Sequence, residues 1–152
     1  MRFISEPISL ITCFLRHALI IFGLLSAEPA FSDKTKDLPL RGNLIIVGGG
    51  DTPVAVQERF VALAGGPGKA RIALFPMAST AFDEEAREVM ADFQKLNADT
   101  HLVNLERKEA QMESTAKFLE DFSGYWFLGG DQNRLAATLL GTRVLDVIER
   151  RY

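Results

Sequence analysis

The amino-acid sequence predicts an α/β protein in which a mostly parallel β-sheet lies between two layers of helices. Short apolar, β-branched runs alternate along the chain with longer segments that have helical periodicity. The apolar runs are followed by glycine or proline turns, and the connections between them are long enough for right-handed crossovers between parallel strands. The predicted architecture is therefore a three-layer α/β sandwich.

The first 32 residues are predicted to be a secretory signal peptide. Arg2 and Arg16 precede an apolar segment at 18–27, which is shorter than the roughly 20 residues that span a bilayer. Ala30 and Ser32 then supply small residues at the two positions that a signal peptidase reads. We therefore expect a periplasmic or secreted protein that has no stable membrane insertion after cleavage.

The overall composition is that of a mildly acidic protein, with 17 Lys and Arg residues against 20 Asp and Glu residues. This balance argues against nucleic acid as a partner, because binding it would favour a clustered basic surface. The only cysteine, Cys13, lies in the predicted signal peptide. The remaining chain can form neither a disulfide nor a thiolate metal site, and neither a metal ion nor another cofactor is expected.

After a polar linker at 33–42, residues 43–152 are predicted to form the α/β domain. The run at 43–47 is predicted to be a strand covered on both faces. Thr52 is predicted to cap the next helix, with Pro53 at its first position. Strands are further predicted at 71–75, 100–105 and 124–128, and helices at 53–64, 82–96, 109–121, 135–140 and 143–152, the last with Thr142 as N-cap.

The first of three glycine-rich turns is Gly48-Gly49-Gly50, between a predicted strand and a predicted helix. It fails the spacing of a dinucleotide-binding motif, because Pro53 stands where the third glycine of G-x-G-x-x-G belongs. We interpret these glycines as allowing close packing of the first helix on the sheet. Gly49 and Gly50 are also candidates for lining a ligand crevice.

The second and third turns follow the strands predicted at 71–75 and 124–128. Ser79, in the second turn, is a candidate for contacting a substrate or for capping the next helix. In the third turn, the backbone amides of Gly130 and Asp131 are candidates for binding a developing oxyanion, and Gln132 offers both a donor and an acceptor. Because ligands of open α/β sheets bind at the carboxyl ends of the strands, the third turn is the strongest candidate for a binding site.

Three stretches of the chain also resemble one enzyme family. These stretches are Leu44 through Gly50, Phe75-Pro76-Met77-Ala78-Ser79, and Trp126 through Gln132 followed by Leu140-Gly141-Thr142. Over about residues 43–152 they resemble the amino-terminal half of cyanophycinase, a member of peptidase family S51 that is related to aspartyl dipeptidase. The resemblance implies a flavodoxin-like sheet of the class I glutamine amidotransferase type.

The resemblance also implies an activity, namely serine-type hydrolysis of β-aspartyl peptides such as β-linked Asp-Arg units. It implies that Gln132 binds substrate and that Gly130 and Asp131 border the oxyanion site. The family's nucleophilic serine lies in a G-x-S-x-G elbow, and no such motif occurs in this sequence. We therefore expect the nucleophile and its histidine beyond Tyr152, so that the chain is a fragment without activity of its own.

Two other functions remain open at this point. One is a secreted protein that binds a peptide or another small molecule in the same crevice without catalysis. The other is a nucleotide-dependent enzyme that works through the turn from Gly48 to Gly50, which its spacing disfavours. Of the two histidines in the sequence, His101 is the only one after the signal peptide, and it is predicted to have a structural role within a strand.

Overall fold

A computed structural model describes residues 42–152 of the protein. The predicted signal peptide at 1–32, including Cys13, lies outside the described residues, as does the predicted linker at 33–42 except for Gly42. No helix in the described part combines the length and the apolar character that crossing a membrane requires.

Three parallel strands form a small open sheet. They are β1 (Arg71–Phe75), β2 (Asp99–Leu102) and β3 (Gly124–Phe127), and β1 lies between the other two. β1 pairs in parallel with both neighbours, with Arg71 opposite Asp99 and Ile72 opposite Gly124. The prediction of a parallel α/β fold of flavodoxin-like type is confirmed, although β2 begins one residue earlier and ends three residues earlier than predicted.

Six helices connect and cover the strands of the described residues. They are α1 (Val54–Leu63), α2 (Phe82–Lys95), α3 (Arg107–Ala110), α4 (Glu113–Leu119), α5 (Gln132–Leu139) and α6 (Arg143–Arg151).

The two faces of β1 belong to two different parts of the core. Ile72 packs with α1 and α2 on one face, in a cluster that contains Val61 and Phe93. Phe75 packs on the other face, in a cluster that includes Leu119 of α4 and residues of α3, α5 and α6. Strands covered on both faces are apolar throughout, which explains why β1 is a continuous apolar run after its first residue. The sheet is therefore the middle layer of three.

The prediction of one continuous helix at 109–121 is wrong, because two short helices, α3 and α4, occupy this part of the chain. Glu106 and Glu109 form a capping box at the start of α3, in which the Glu106 N–H donates to Glu109 Oε2 at 2.7 Å. The chain leaves helical geometry at Met112, whose ψ of 134° is extended, and α4 starts at the next residue. A capping box fixes a helix start that the weak apolar periodicity of this stretch does not reveal.

The run at 43–47 belongs to no strand, which contradicts the prediction for these residues. Leu44 and Ile46 are 65% and 82% exposed. A β-branched run has a preference for strands, but a strand also needs a partner along its backbone. The segment makes no ladder with the sheet in this structure.

The start of α1 also differs from the prediction. Pro53, and not Thr52, occupies the N-cap position, because its φ of −60° and ψ of 140° are extended. The predicted glycine stop is confirmed at the other end of the helix. Gly65 has a φ of +113°, and the Gly66 N–H donates to the Val61 carbonyl at 2.9 Å. This 6→1 hydrogen bond is typical of a helix that ends in a Schellman motif.

The glycines from Gly48 to Gly50 do not allow close packing of α1, so that interpretation is wrong. A Cβ added at any of the three would have no atom within 4 Å. Gly49 and Gly50 instead have φ values of +85° and +78°. Glycine is suited to these two positions because side chains disfavour such backbone conformations.

Thr142 is the N-cap of α6, as predicted, and its removal gives a first testable prediction. Its buried Oγ1 donates to the Leu139 carbonyl at 2.7 Å and accepts from the Leu145 N–H at 3.4 Å. We expect Thr142→Ala to lower the free energy of unfolding by about 1–2 kcal/mol in urea denaturation. Thr138→Ala is the control, since the Thr138 hydroxyl donates to the Arg134 carbonyl within α5 at 3.0 Å, and a change below about 0.5 kcal/mol is expected. Equal losses for both variants would contradict the capping role.

Candidate functional site

Two turns meet at the carboxyl ends of the central strand and its neighbour β3. The β1 turn consists of Pro76, Met77, Ala78 and Ser79, and the β3 turn consists of Leu128, Gly129, Gly130 and Asp131. β3 is tied to β1 up to this point, because the Leu128 N–H donates to the Phe75 carbonyl at 2.9 Å. The parallel register therefore delivers both turns to one edge of the sheet.

The backbones of the two turns touch directly at Gly130. The Asp131 N–H donates to the Ala78 carbonyl at 3.0 Å. A Cβ on Gly130 would overlap the Ala78 carbonyl oxygen and lie 2.9 Å from the Ser79 nitrogen, and the φ of Gly130 is +134°. Both the space and the backbone conformation thus require glycine here.

The two amides proposed for an oxyanion site have different surroundings. The Asp131 N–H is engaged by Ala78, whereas the Gly130 N–H has no hydrogen-bond partner among the described residues. The side chain of Asp131 is also occupied, because its Oδ1 accepts the Asn133 N–H at 2.8 Å as the N-cap of α5. Of the pair, Gly130 is therefore the amide available to a ligand.

Gln132 is the first residue of α5 and is exposed beside the β3 turn. Asp131 caps this helix with its side chain and donates its backbone N–H to the Ala78 carbonyl. These two contacts hold Gln132, the next residue, in position. Its side-chain amide can donate and accept at once, as a peptide bond requires of its partner. The predicted contact residue is thus placed at the carboxyl edge of the sheet.

Ser79 is buried in the β1 turn, and its hydroxyl is already used locally. Ser79 Oγ accepts the Ala81 N–H at 3.2 Å, and the Ser79 N–H donates to the Pro76 carbonyl at 2.9 Å. Ala81, rather than Ser79, is the N-cap residue of α2. The serine thus organises the approach to α2, and it lies beside Gly130 through its backbone.

Glu85 is a further side chain near these turns. It is half-buried in the first turn of α2, and its Oε1 lies 3.9 Å from a Cβ position on Gly129. No sequence motif indicates this neighbour. The general rule that helices start near the carboxyl ends of parallel strands is the one signal that points to it.

His101 is not part of this edge of the sheet. Its Nε2 lies 3.1 Å from Asp99 Oδ2, and its ring packs edge-on against Phe122 at 5.3 Å between ring centroids. Asp99 in turn lies 3.4 Å from the guanidinium of Arg71, at the amino end of β1. These contacts are those of a histidine that stabilises the packing of β2, in agreement with the structural role predicted for it.

Gly49 and Gly50, the other predicted crevice residues, form no backbone hydrogen bond with the two turns among the described residues, and nothing lies within 4 Å of a Cβ on either. Among residues 42–152, no group of three or more His, Cys, Asp or Glu side chains could hold a metal ion.

A cavity of about 440 Å³ lies along the outer edge of β3 rather than at the two turns. We call it the edge cavity. It extends between α1 and α6, and its lining includes Phe60, Tyr125, Phe127 and Ile148. No motif in the sequence predicts this cavity, because an open strand edge depends on which strands pair.

Tyr125 forms part of the wall of the edge cavity and gives a second testable prediction. Its hydroxyl donates to the Leu119 carbonyl at 2.9 Å, and burial raises the pKa of its phenol above the ordinary value of 10.0. Folding thus favours the protonated phenol, so this contribution to stability is complete below pH 10 and is lost as the pH rises through the raised pKa.

We expect Tyr125→Phe to lower the free energy of unfolding by about 1 kcal/mol at neutral pH, through loss of the hydrogen bond. The difference between wild type and variant should shrink as the pH rises above about 10, because the wild type alone loses the contribution of this phenol. Urea denaturation at a series of pH values measures both effects. A difference that grows above pH 10 would show the opposite sign and contradict this assignment.

The comparisons with known proteins bear on the fold. No family model matches the sequence. The fold is similar to the crystal structure of a peptidase from an acI-B1 Actinobacterium, with a TM-score of 0.55 and 19% sequence identity. The match covers 65% of this chain and 43% of that chain, so the chain spans less than half of the neighbour's length. At this identity the likeness establishes a shared fold, and function must be argued from the site.

Proposed function

We propose that this chain forms the substrate-binding part of a secreted serine peptidase of the cyanophycinase type, which acts on β-aspartyl peptides. The observation that carries the proposal is the hydrogen bond from the Asp131 N–H to the Ala78 carbonyl. It joins two of the three stretches in which the sequence resembles that family. The shared fold with a peptidase supports the same assignment.

In this proposal the residues of the β3 turn have separate tasks. Gly130 donates its backbone N–H to the carbonyl oxygen of the substrate, where negative charge develops during peptide hydrolysis. Gln132 binds the peptide group beside it with its side-chain amide. Asp131 holds both in place, because its backbone fixes the turn to Ala78 and its carboxylate caps α5.

The proposed nucleophile is a serine encoded beyond Tyr152, activated by a histidine of the same part. Expression of the complete coding sequence, with hydrolysis of β-aspartyl-arginine as the readout, tests this part of the proposal. Alanine in place of the serine of the G-x-S-x-G motif should abolish hydrolysis and leave binding of the dipeptide intact. A complete coding sequence that lacks this motif would contradict the assignment as a serine peptidase.

Binding by the chain itself can be tested without catalysis. Calorimetric titration with β-aspartyl-arginine should detect a single site, and Gln132→Ala should weaken its affinity about tenfold, as expected for loss of hydrogen bonds to a peptide group. Asn133→Ala is the matched control, since it removes a neighbouring exposed amide side chain and keeps the backbone N–H that Asp131 caps. Equal weakening by both variants would contradict the role of Gln132.

The second candidate is a secreted protein that binds a peptide without hydrolysing it. It is favoured by the local use of the Ser79 hydroxyl, which accepts the Ala81 N–H and is hydrogen-bonded to no histidine among residues 42–152. Binding of the dipeptide by the product of the complete coding sequence, with no hydrolysis, would support this candidate over the peptidase.

A further inference from the structure

Glu85 is a half-buried carboxylate beside the β3 turn. It lies in the first turn of α2, and no ion pair joins it to a Lys, Arg or His side chain among residues 42–152. Partial removal of a carboxylate from water costs free energy unless a cationic or hydrogen-bonding group compensates for it. A bound ligand that carries a positive charge can supply this partner.

The packing of α2 holds Glu85 next to the β3 turn. Ala86, the following residue, is buried in a cluster with Leu74 of β1 and Leu128. Leu128 directly precedes Gly129, and Glu85 Oε1 lies 3.9 Å from a Cβ position on Gly129. The backbone position of Glu85 is thus fixed by a helix that packs on the core of the protein and not by a loop.

The charged groups around Glu85 leave room for an added cation. Asp83 and Glu84 share the first turn of α2 with it. Arg87 of the same helix donates its Nε–H to the Asp83 carbonyl at 2.7 Å, and Arg134 of α5 is exposed. The helix dipole favours carboxylates in any first turn, so the acidic residues alone indicate no ligand. What distinguishes Glu85 from the other two is its partial burial and its place beside the turn.

The Glu85 carboxylate and the Gly130 N–H are close enough to bind one small ligand. Standard backbone dimensions place a residue's nitrogen about 3 Å from the Cβ position of the residue before it. Glu85 Oε1, at 3.9 Å from the Cβ position on Gly129, is therefore within about 7 Å of the Gly130 nitrogen. A carbonyl oxygen bound to the amide and a cationic group bound to the carboxylate can thus belong to neighbouring parts of one molecule.

We propose that Glu85 is a specificity-determining residue of the peptide site and binds the free ammonium group of the β-aspartyl residue. In that residue a single methylene group separates the carbonyl carbon, whose oxygen Gly130 binds, from the carbon that carries the ammonium group. The guanidinium group of a β-linked arginine is much farther from the same carbonyl. This inference rests on the proposed function, and it adds that the site takes a peptide whose amino end is not blocked.

Succinyl-arginine tests this assignment, because it is β-aspartyl-arginine without the ammonium group. In calorimetric titrations of the full chain, β-aspartyl-arginine should bind about tenfold or more tightly than succinyl-arginine, as expected for a charge-assisted hydrogen bond. Glu85→Gln should weaken β-aspartyl-arginine about tenfold and bring the two affinities within about twofold of each other. Glu84→Gln is the matched control, since it removes an exposed carboxylate from the same turn and should keep the preference for β-aspartyl-arginine.

The ratio of the two affinities separates binding of the ammonium group from other roles. If Glu85 only stabilised the turn, or if it bound the guanidinium group that both ligands carry, Glu85→Gln would weaken both ligands alike. An unchanged ratio in this variant, or an equal loss of the preference in Glu84→Gln, therefore overturns the assignment.

Failure of this inference can be told apart from failure of the proposed function. Equal binding of the two ligands by the wild type overturns the assignment of Glu85, and the proposed function still stands if Gln132→Ala weakens both. Binding of neither ligand overturns the proposed function and the assignment of Glu85 together.

Discussion

Gly130→Ala is expected to lower the free energy of unfolding by about 3 kcal/mol, through the combined cost of overlap and of an unfavourable backbone conformation. The added methyl group would overlap the Ala78 carbonyl oxygen, and the φ of +134° disfavours any side chain. Relief of the overlap must separate the two turns and break the hydrogen bond from Asp131 to Ala78. Urea denaturation followed by fluorescence of Trp126, the only tryptophan, measures the loss.

Gly129→Ala is the matched control for this variant. Gly129 precedes Gly130 in the same turn, but its φ is not positive and its Cβ would meet only Glu85 Oε1, at 3.9 Å. We expect a change below about 1 kcal/mol, as at an unstrained surface position. If the two alanine variants were equally stable, the close contact between the β1 turn and the β3 turn would not exist in solution.

Phe93→Ala is expected to cost about 3–5 kcal/mol, which is a large part of the stability of an ordinary domain. Phe93 is fully buried in α2. Its ring lies 5.1 Å from that of Trp126 in an edge-on arrangement and 5.9 Å from that of Phe60. Truncation leaves a cavity between α1, α2 and β3, so urea denaturation should show a much lower midpoint and the emission of Trp126 should shift to longer wavelength.

The control for Phe93 is Phe118→Ala. Phe118 also packs edge-on against an aromatic ring, that of Phe122 at 5.1 Å, but it is 46% exposed. Since water can fill the space that it leaves, we expect a cost of about 1 kcal/mol. A loss at Phe118 as large as that at Phe93 would show that burial between the sheet and α2 does not dominate the stability of this fold.

The elements that the sequence predicted well are those whose signals are local. β1 is a continuous apolar run that ends at Pro76, and β3 is a similar run that ends before Gly129. The apolar spacing of α2 identifies its buried face, on which Ala86 and Phe93 lie. The N-cap of α6 is equally local, because Thr142 serves a helix that starts at the next residue.

The run at 43–47 shows what a local sequence pattern cannot predict, namely whether a strand finds a partner. Its composition is as suitable for a strand as that of β1, yet it is unpaired in this structure. Whether a β-branched run becomes a strand depends on an available partner edge, which the run itself does not encode, and no strand pairs with residues 43–47 among the described residues. The edge cavity was not predicted for the same reason, because it lies along a strand edge whose pairing is set by residues distant in sequence.

Only part of the candidate site was predictable, because some of its features are local and others depend on contacts between distant turns. The turn from Gly129 to Asp131 and its neighbour Gln132 follow from a strand that breaks into a helix. The use of the Asp131 N–H by Ala78, and the approach of Glu85 to Gly129, are contacts between separate turns that no local pattern encodes. Such contacts decided which of the two candidate oxyanion amides is available.

The most direct test of the central claim, that the peptide site lies where the two turns meet, is to map the amide chemical shifts of the full chain during titration with β-aspartyl-arginine. We expect the saturable shifts to cluster at Ser79, Gly129, Gly130 and Gln132, at the carboxyl edge of the sheet. Saturable shifts confined to residues of the edge cavity, such as Phe60 and Ile148, or no shift at saturating dipeptide, would contradict it.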